Sequence, residues 1–182
     1  MTQSGPVHRS IKLVPAATNI QWKQAKDLIQ ELIDWDVGEC ENLGFERDDV
    51  IRTFYPDGLD EIRRQSAAPA GCFLIASGPE GPAGCAGYRP LAAKTCELCN
   101  VYVRASYRGL SIGTLLVNQL QNIASAFGYE TMNLETASFM TDAQRLYRSL
   151  QFEVVGPYRP VPDRFVAITI SMQCVLRRLT GA

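Results

Sequence analysis

The decapeptide Tyr107 to Leu116, YRGLSIGTLL, sets an arginine, two glycines and an intervening serine directly ahead of an apolar run. A glycine-rich turn leading into a helix leaves backbone N–H groups facing outward, with the positive end of the helix dipole behind them. Such a turn suits an anion. Gly109 and Gly113 remove side chains where a phosphate would approach the main chain, and Arg108 adds a charge-assisted contact from the flank. Neither a Walker lysine followed by Ser/Thr nor a G-x-G-x-x-G fingerprint is present, which disfavours a nucleoside triphosphatase or a dehydrogenase. Taken alone, the turn leaves open that its glycines only shape a connection between two elements.

Two further stretches carry chemistry. In CELCNVYV (96–103), period-two alternation would put Glu97, Cys99, Val101 and Val103 on one sheet face. A carboxylate on an otherwise apolar strand face is a candidate general base; the other reading is a structural glutamate bonded to a neighbouring loop. Glu135, on TMNLET, is a second carboxylate candidate. Cys96 and Cys99 spell C-x-x-C, but residues three apart on a strand point to opposite faces, so their thiols would not converge on a metal. No metal is expected. The lone histidine, His8, falls in an N-terminal stretch read as a tail and is not assigned to catalysis.

The elements that would position these residues follow from periodicity. IKLV (11–14), halted by Pro15, reads as a strand, and Asn19 is a candidate cap for a helix with Trp22, Ala25, Leu28, Ile29, Leu32 and Ile33 at helical spacing. A second helical region, 46–66, is interrupted near Pro56 and Gly58. Segments 72–77, 83–90 and 96–103 read as an antiparallel meander. Then come a helix at 113–127 stopped by Gly128, a strand at 131–136, and a helix at 140–150 with Thr141 or Asp142 as cap. EVVG and FVAITISMQC read as two closing strands.

In that order of elements, VYVRASYRGLSIGTLL followed by AQRLYRSLQF resembles the GNAT superfamily of acetyl-CoA-dependent N-acetyltransferases. The motifs carrying the resemblance are R/Q-x-x-G-x-G/A, here Arg108 to Gly113, and A-x-x-L-Y-x-x-x-G-F, here Ala143 to Phe152. Ser111 and Gln151 replace glycines of the pattern, and Met140 replaces an asparagine. The resemblance implies an α/β (α+β) fold with a mixed, mostly antiparallel sheet of about seven strands flanked by about four helices. The whole chain, 1–182, would form one domain, with 1–9 a flexible tail. Acetyl-CoA would be the cosubstrate. Arg108, Gly109, Leu110, Ser111, Ile112, Gly113 and Thr114 would cradle its pyrophosphate, and its pantetheine arm would lie along Val101, Tyr102 and Val103. Met140, Gln144 and Tyr147 would flank the arm.

The resemblance also implies roles. The Val101 amide, freed where its strand splays at a bulge, would bond the acetyl carbonyl; Glu97 would act as base and Tyr147 as acid, unless Tyr147 is only a packed aromatic. The reaction would be direct attack by a primary amine of a small molecule or peptide in a ternary complex. The alternative is a catalytically weakened acyl-CoA-binding or sensing module, to which the substitutions at Ser111, Met140 and Gln151 point.

Between Glu31 and Asp49 stand eight acids, Glu31, Asp34, Asp36, Glu39, Glu41, Glu46, Asp48 and Asp49, against Arg47 alone. Such a stretch reads either as one wall of an acceptor cleft, attracting a cationic amine, or as a solvated face. Arg89 points the other way, to an acceptor bearing a carboxylate. A formal net charge of −1 gives no global basic field for nucleic acid. No apolar run reaches the roughly 18–20 residues that span a bilayer, and the opening residues lack the apolar core of a signal peptide. A cytoplasmic protein with reduced cysteines and no membrane partner is the resulting expectation. The resemblance adds strand edges through which a homodimer is possible, and the sequence leaves the oligomeric state open.

Overall fold

The structure is a computed structural model, and it describes residues 11–177. His8 and the expected tail lie outside the described residues. A seven-stranded mixed sheet runs in the order β1-β2-β3-β4-β5-β7-β6. The strands are β1 (Lys12–Pro15), β2 (Cys72–Gly78), β3 (Gly81–Ala92), β4 (Thr95–Val103), β5 (Thr131–Ala137), β6 (Glu153–Val155) and β7 (Thr169–Val175). Among the described strands only the pair β4 and β5 is parallel. The helices are α1 (Asn19–Asn42), α2 (Arg47–Phe54), α3 (Leu59–Gln65), α4 (Ile112–Phe127), α5 (Thr141–Ser149) and the short α6 (Asp163–Val166). The meander and the break around Pro56 and Gly58 stand where the periodicity puts them.

Three boundaries differ from expectation, each for a local reason. The cap of α1 is Thr18, not Asn19: its hydroxyl accepts from the Gln21 N–H at 3.3 Å while the Gln21 side chain accepts from the Thr18 N–H at 2.8 Å. Met140 holds the N-cap position of α5, so Thr141 and Asp142 are already helical. FVAITISMQC is not one strand, since Phe165 and Val166 close the turn of α6, with Phe165 buried between Phe45 and Phe54.

The sheet separates two layers. On one face Leu116, Leu120 and Ala124 of α4 pack against Leu74, Ala86, Cys96 and Met132; on the other, Ala25, Leu28 and Ile29 of α1 meet Phe73, Ile75 and Cys85. The apolar stripe of α1 runs Ala25, Leu28, Ile29, Leu32, Val37, Cys40. Asp36 is buried among these residues, where an acid is out of place unless it is bonded.

The largest departure lies inside β4. Cys85 pairs with Tyr102 but Gly87 with Cys99, so Asn100 and Val101 together oppose the single residue Ala86. Asn100 sits at φ 53°, a conformation asparagine tolerates better than most residues. The extra residue is a β-bulge, and it shifts the alternation by one. Glu97 and Cys99 therefore face α1, whereas Val101 and Val103 pack with the α4 core and Tyr102 with the α1 core. The expected single face for Glu97, Cys99, Val101 and Val103 is thus corrected.

Gln151, the second replaced glycine, is left-handed at φ 67° and ends α5 in a complete Schellman motif. Its N–H bonds the Arg148 carbonyl at 3.1 Å, and the Phe152 N–H bonds that of Tyr147 at 3.0 Å. A left-handed non-glycine residue costs about 1–2 kcal/mol, and a glycine gives back about 0.5–1 kcal/mol of that through the unfolded chain. Gln151→Gly should therefore stabilise the protein by about 0.5–1 kcal/mol, read as a rise of about 2 °C in thermal unfolding.

Candidate active site

Two cavities meet beneath the bulge. The larger, about 510 Å³, runs from Tyr102 and Val103 past Arg108, Gly109, Ser111, Ile112, Gly113 and Thr114. The smaller, about 150 Å³, lies towards α1 and is lined by Asp36, Arg89, Glu97, Cys99, Glu135 and Arg159 among others. Leu32, Val101, Met140 and Tyr147 belong to both walls. They mark the junction.

The junction exists because the sheet opens there. β4 pairs with β5 only from Thr95↔Thr131 to Glu97↔Asn133, after which the two strands diverge. The Arg104 N–H bonds the Ala83 carbonyl at 3.0 Å and Tyr102 pairs with Cys85, so by alternation the Val101 and Val103 N–H groups point away from β3 into the opening. The Val103 carbonyl does the same, accepting from Arg108 Nε at 3.2 Å. An extended chain laid along this edge finds both donors and acceptors.

At the far end of the larger cavity the turn before α4 is wound as an anion cradle requires. Gly109 has φ 79° and Ser111, the N-cap of α4, has φ 56°. Ser111 thus adopts the left-handed conformation that explains the glycine of the family pattern, and its side chain makes no capping bond. A Cβ on Gly113 would stand 3.0 Å from Leu146 Cδ2, so this glycine also lets α4 and α5 approach. The α4 N-terminus faces the cavity with Arg108 exposed at its rim.

Leu110 and Gln144 line neither cavity. Leu110 packs its side chain on the α4 core. Gln144 is buried and donates its amide to the Ala137 and Ser138 carbonyls at 2.9 and 3.0 Å, tying α5 to the end of β5. Its amide nitrogen is thus spent on the protein, and its Oε1 accepts from Arg148 Nη2 at 3.3 Å.

Tyr147 is at the junction, 6% exposed, in edge contact with Phe152, and its hydroxyl has no protein partner among the described residues. Burial pushes the phenol well above its ordinary range, so it holds its proton throughout neutral pH. Cys99 lies nearby, but burial pushes its thiol up to about 12, which leaves little thiolate for a covalent route.

Glu97 is not the unpaired acid that alternation suggested. Its Oε2 accepts from Arg89 Nε at 2.8 Å, while Oε1 accepts from the Tyr158 hydroxyl at 2.7 Å and lies 3.1 Å from Arg159 Nη1. Arg159 continues to Glu135 Oε2, at 2.8 Å from Nε and 2.5 Å from Nη2. Arg89 is equally committed, reaching Asp57 at 2.7 Å and Gln65 at 2.6 Å through Nη1. Both oxygens of Glu97 are engaged, so taking a substrate proton would first require breaking a charge-assisted bond. The arginine expected to receive an acceptor carboxylate is likewise occupied by internal acids.

Asp36 contrasts with Glu97. Its Oδ2 accepts from the Tyr55 hydroxyl at 2.6 Å, but its buried Oδ1 has no partner among the described residues, and Glu135 Oε1 is in the same condition. Burial raises the Asp36 carboxyl above its usual range, the Tyr55 bond opposes this, and Glu39 adds to it. The rest of the acidic stretch is partly neutralised in place: Glu31 pairs with Arg104, Asp34 with Arg47, and Asp49 with Arg52 and Arg164.

Sequence reasoning missed Tyr55, Tyr158 and Arg159. The last two sit in an irregular, proline-rich loop with no periodicity to read. One signal was available: Tyr-Arg-Pro occurs at 88–90 and again at 158–160, and both arginines bind Glu97.

The acetyltransferase (GNAT) family pattern matches residues 29–152, which hold the bulge, the cradle and Tyr147. The chain belongs to the GNAT acetyltransferase family. It is an acyltransferase. An uncharacterized N-acetyltransferase of Schizosaccharomyces pombe is 35% identical to it over 111 residues, 59% of this chain and 68% of the relative. A GNAT-family acetyltransferase from Staphylococcus aureus Mu50 shares the fold with a TM-score of 0.71 at 18% identity, over 92% of this chain and all of that one. An aminoglycoside 6'-N-acetyltransferase complexed with coenzyme A gives a TM-score of 0.65 at 18% identity, over 94% and 99% of the two chains. In this GNAT enzyme, Asp36, Glu97, Val101, Glu135 and Tyr147 fall within the matched region, whereas Tyr158 and Arg159 lie beyond it.

Removing one member of a buried ion pair strands its partners. Glu97→Gln should cost about 2–3 kcal/mol in urea unfolding, below the full cost of breaking a wholly buried pair because both arginines are partly exposed. A change under about 0.5 kcal/mol, the scatter of a surface substitution, would remove Glu97 from the structural network.

Proposed function

We propose that the protein transfers the acetyl group of acetyl-CoA to a primary amine of a small molecule or peptide, by direct attack in a ternary complex. The observation that carries this reading is the junction: a long cavity ending in an anion cradle meets a compact acidic cavity at one free amide and one partnerless phenol. The residues fit the donor. The turn from Arg108 to Thr114 presents backbone N–H groups to the pyrophosphate, and the open edge of β4 at Val101 and Val103 offers the pantetheine amides a strand-like partner. A coenzyme A complex of a protein with the same fold supports a donor of this kind.

The chemistry divides among few groups. The Val101 N–H receives the oxygen charge that develops as the carbonyl becomes tetrahedral, and the Tyr147 hydroxyl supplies a proton to the departing sulfur. Glu97 fixes Arg89, Tyr158 and Arg159 and so shapes the acceptor side. Because 150 Å³ is below the roughly 300–1,000 Å³ of a cavity that encloses a whole ligand, only the amine end of the acceptor enters.

Calorimetric titration with acetyl-CoA tests the donor side. Wild type should bind in the micromolar range, and Arg108→Glu, an exposed change at the cradle rim, should weaken binding by about tenfold or more. Tyr147→Phe should keep the wild-type affinity and lose about 100-fold in turnover with any amine accepted. Unchanged turnover would take Tyr147 out of the proton transfer.

A further inference from the structure

We propose that Asp36 of α1 receives the proton of the incoming ammonium, and that the acceptor is a cationic primary amine with no carboxylate beside it. The inference rests on the transferase reading above and specifies its acceptor side. Position comes first. Asp36 stands in the core stripe of α1, is 5% exposed, and lines the cavity that Val101 and Tyr147 also line. The neighbours of that position on α1 are apolar, and a buried carboxylate oxygen without a donor costs free energy that no bond among the described residues offsets. An ammonium supplies the missing donor.

The charged surroundings agree. Arg89 from β3 and Arg159 from the loop after β6 give their bonds to Glu97, Glu135 and Asp57, which leaves no uncommitted cation lining the cavity among the described residues for an acceptor carboxylate or for Asp36 itself. Glu39 and Cys40 on α1 itself, Glu97 and Cys99 on β4, Glu135 on β5 and Tyr147 on α5 complete the titratable groups around the cavity, and none of them brings positive charge. Among the described residues Tyr55 alone bonds the Asp36 side chain, and its hydroxyl orients the carboxyl with Oδ1 left over. Glu135 Oε1, also partnerless and lining the same cavity, offers a second acceptor to the same ammonium.

The proton account closes. An N–H bond of the ammonium breaks and an O–H bond forms on Asp36; the freed lone pair attacks the thioester carbon, whose π pair moves onto the oxygen facing the Val101 N–H. As the C–S bond breaks, Tyr147 gives its proton to the sulfur and regains one from the nitrogen, which still carries a surplus. Asp36 then releases its proton to solvent. One ammonium ion and one thioester become one amide, one thiol and one proton.

The test is a pH profile of kcat/KM with acetyl-CoA and a panel of simple primary alkylamines and diamines, for wild type, Asp36→Asn and Tyr55→Phe. Asparagine keeps an oxygen for the Tyr55 bond, so Asp36→Asn should fold, bind acetyl-CoA as wild type does, and lose about 100-fold or more in kcat/KM together with the acidic limb of the profile. Tyr55→Phe removes a bond that favours the carboxylate, so its acidic limb should move to higher pH. Thermal unfolding supplies a readout apart from activity. With a folded value raised above the unfolded one, ionising Asp36 costs nothing below the unfolded value and destabilises as pH rises through the folded one. The Tm of Asp36→Asn should therefore gain on wild type between pH 4 and pH 8. An active wild type with Asp36→Asn within about threefold of it and the same acidic limb would overturn the proposal alone. A wild type that binds acetyl-CoA and acetylates no amine would overturn the transferase reading and this proposal together.

Discussion

One extra residue in β4 is the constraint on which the site depends. Without the bulge at Asn100, the alternation begun at Cys96 would carry through the strand and Val101 would face α1 together with Glu97. With it, Val101 and Val103 pack on the α4 layer while their amides look into the gap left where β5 turns away. A backbone donor aimed at an open edge is cheap to build into a sheet, since it needs no side chain and no buried charge. The side on which Val101 and Val103 pack, and the direction of their amides, follow from that single insertion together with the divergence of β5.

Opening a sheet at its centre removes backbone pairing where the core needs it, and side-chain charge takes over part of that work. Arg159 bridges Glu97 on β4 and Glu135 on β5 just beyond the last paired residues, Glu97 and Asn133. Arg89 anchors the same glutamate from β3 and runs on to Asp57 beyond α2. The charges that look most catalytic in sequence thus hold the fork in shape, while Asp36, with a partnerless oxygen, is a residue that sequence places among ordinary surface acids.

The order of elements, the two-layer sheet and the cradle were legible because each rests on local rules: apolar periodicity, a glycine turn ahead of a helix, a terminal glycine. Ser111 and Gln151 were legible as substitutions, but not as left-handed residues, which only the backbone shows. The face of Val101 was not legible, because strict alternation assumes an unbroken ladder and the only hint was an asparagine inside an otherwise β-forming run. Asp36 could not be told from its acidic neighbours, since burial depends on which side of α1 meets the sheet. Arg159 was hidden because its partner Glu97 lies 62 positions earlier, across the fork.

The sheet order has a consequence for synthesis. β7 lies between β5 and β6, so β6 has no strand to pair with until β7, the last described strand, has left the ribosome and been inserted. The loop that carries Tyr158 and Arg159 is held between those same two strands. Until Arg159 is made and β7 is inserted, the nascent chain therefore carries Glu135 without its arginine and Glu97 with Arg89 alone, and the smaller cavity acquires its shape late in assembly.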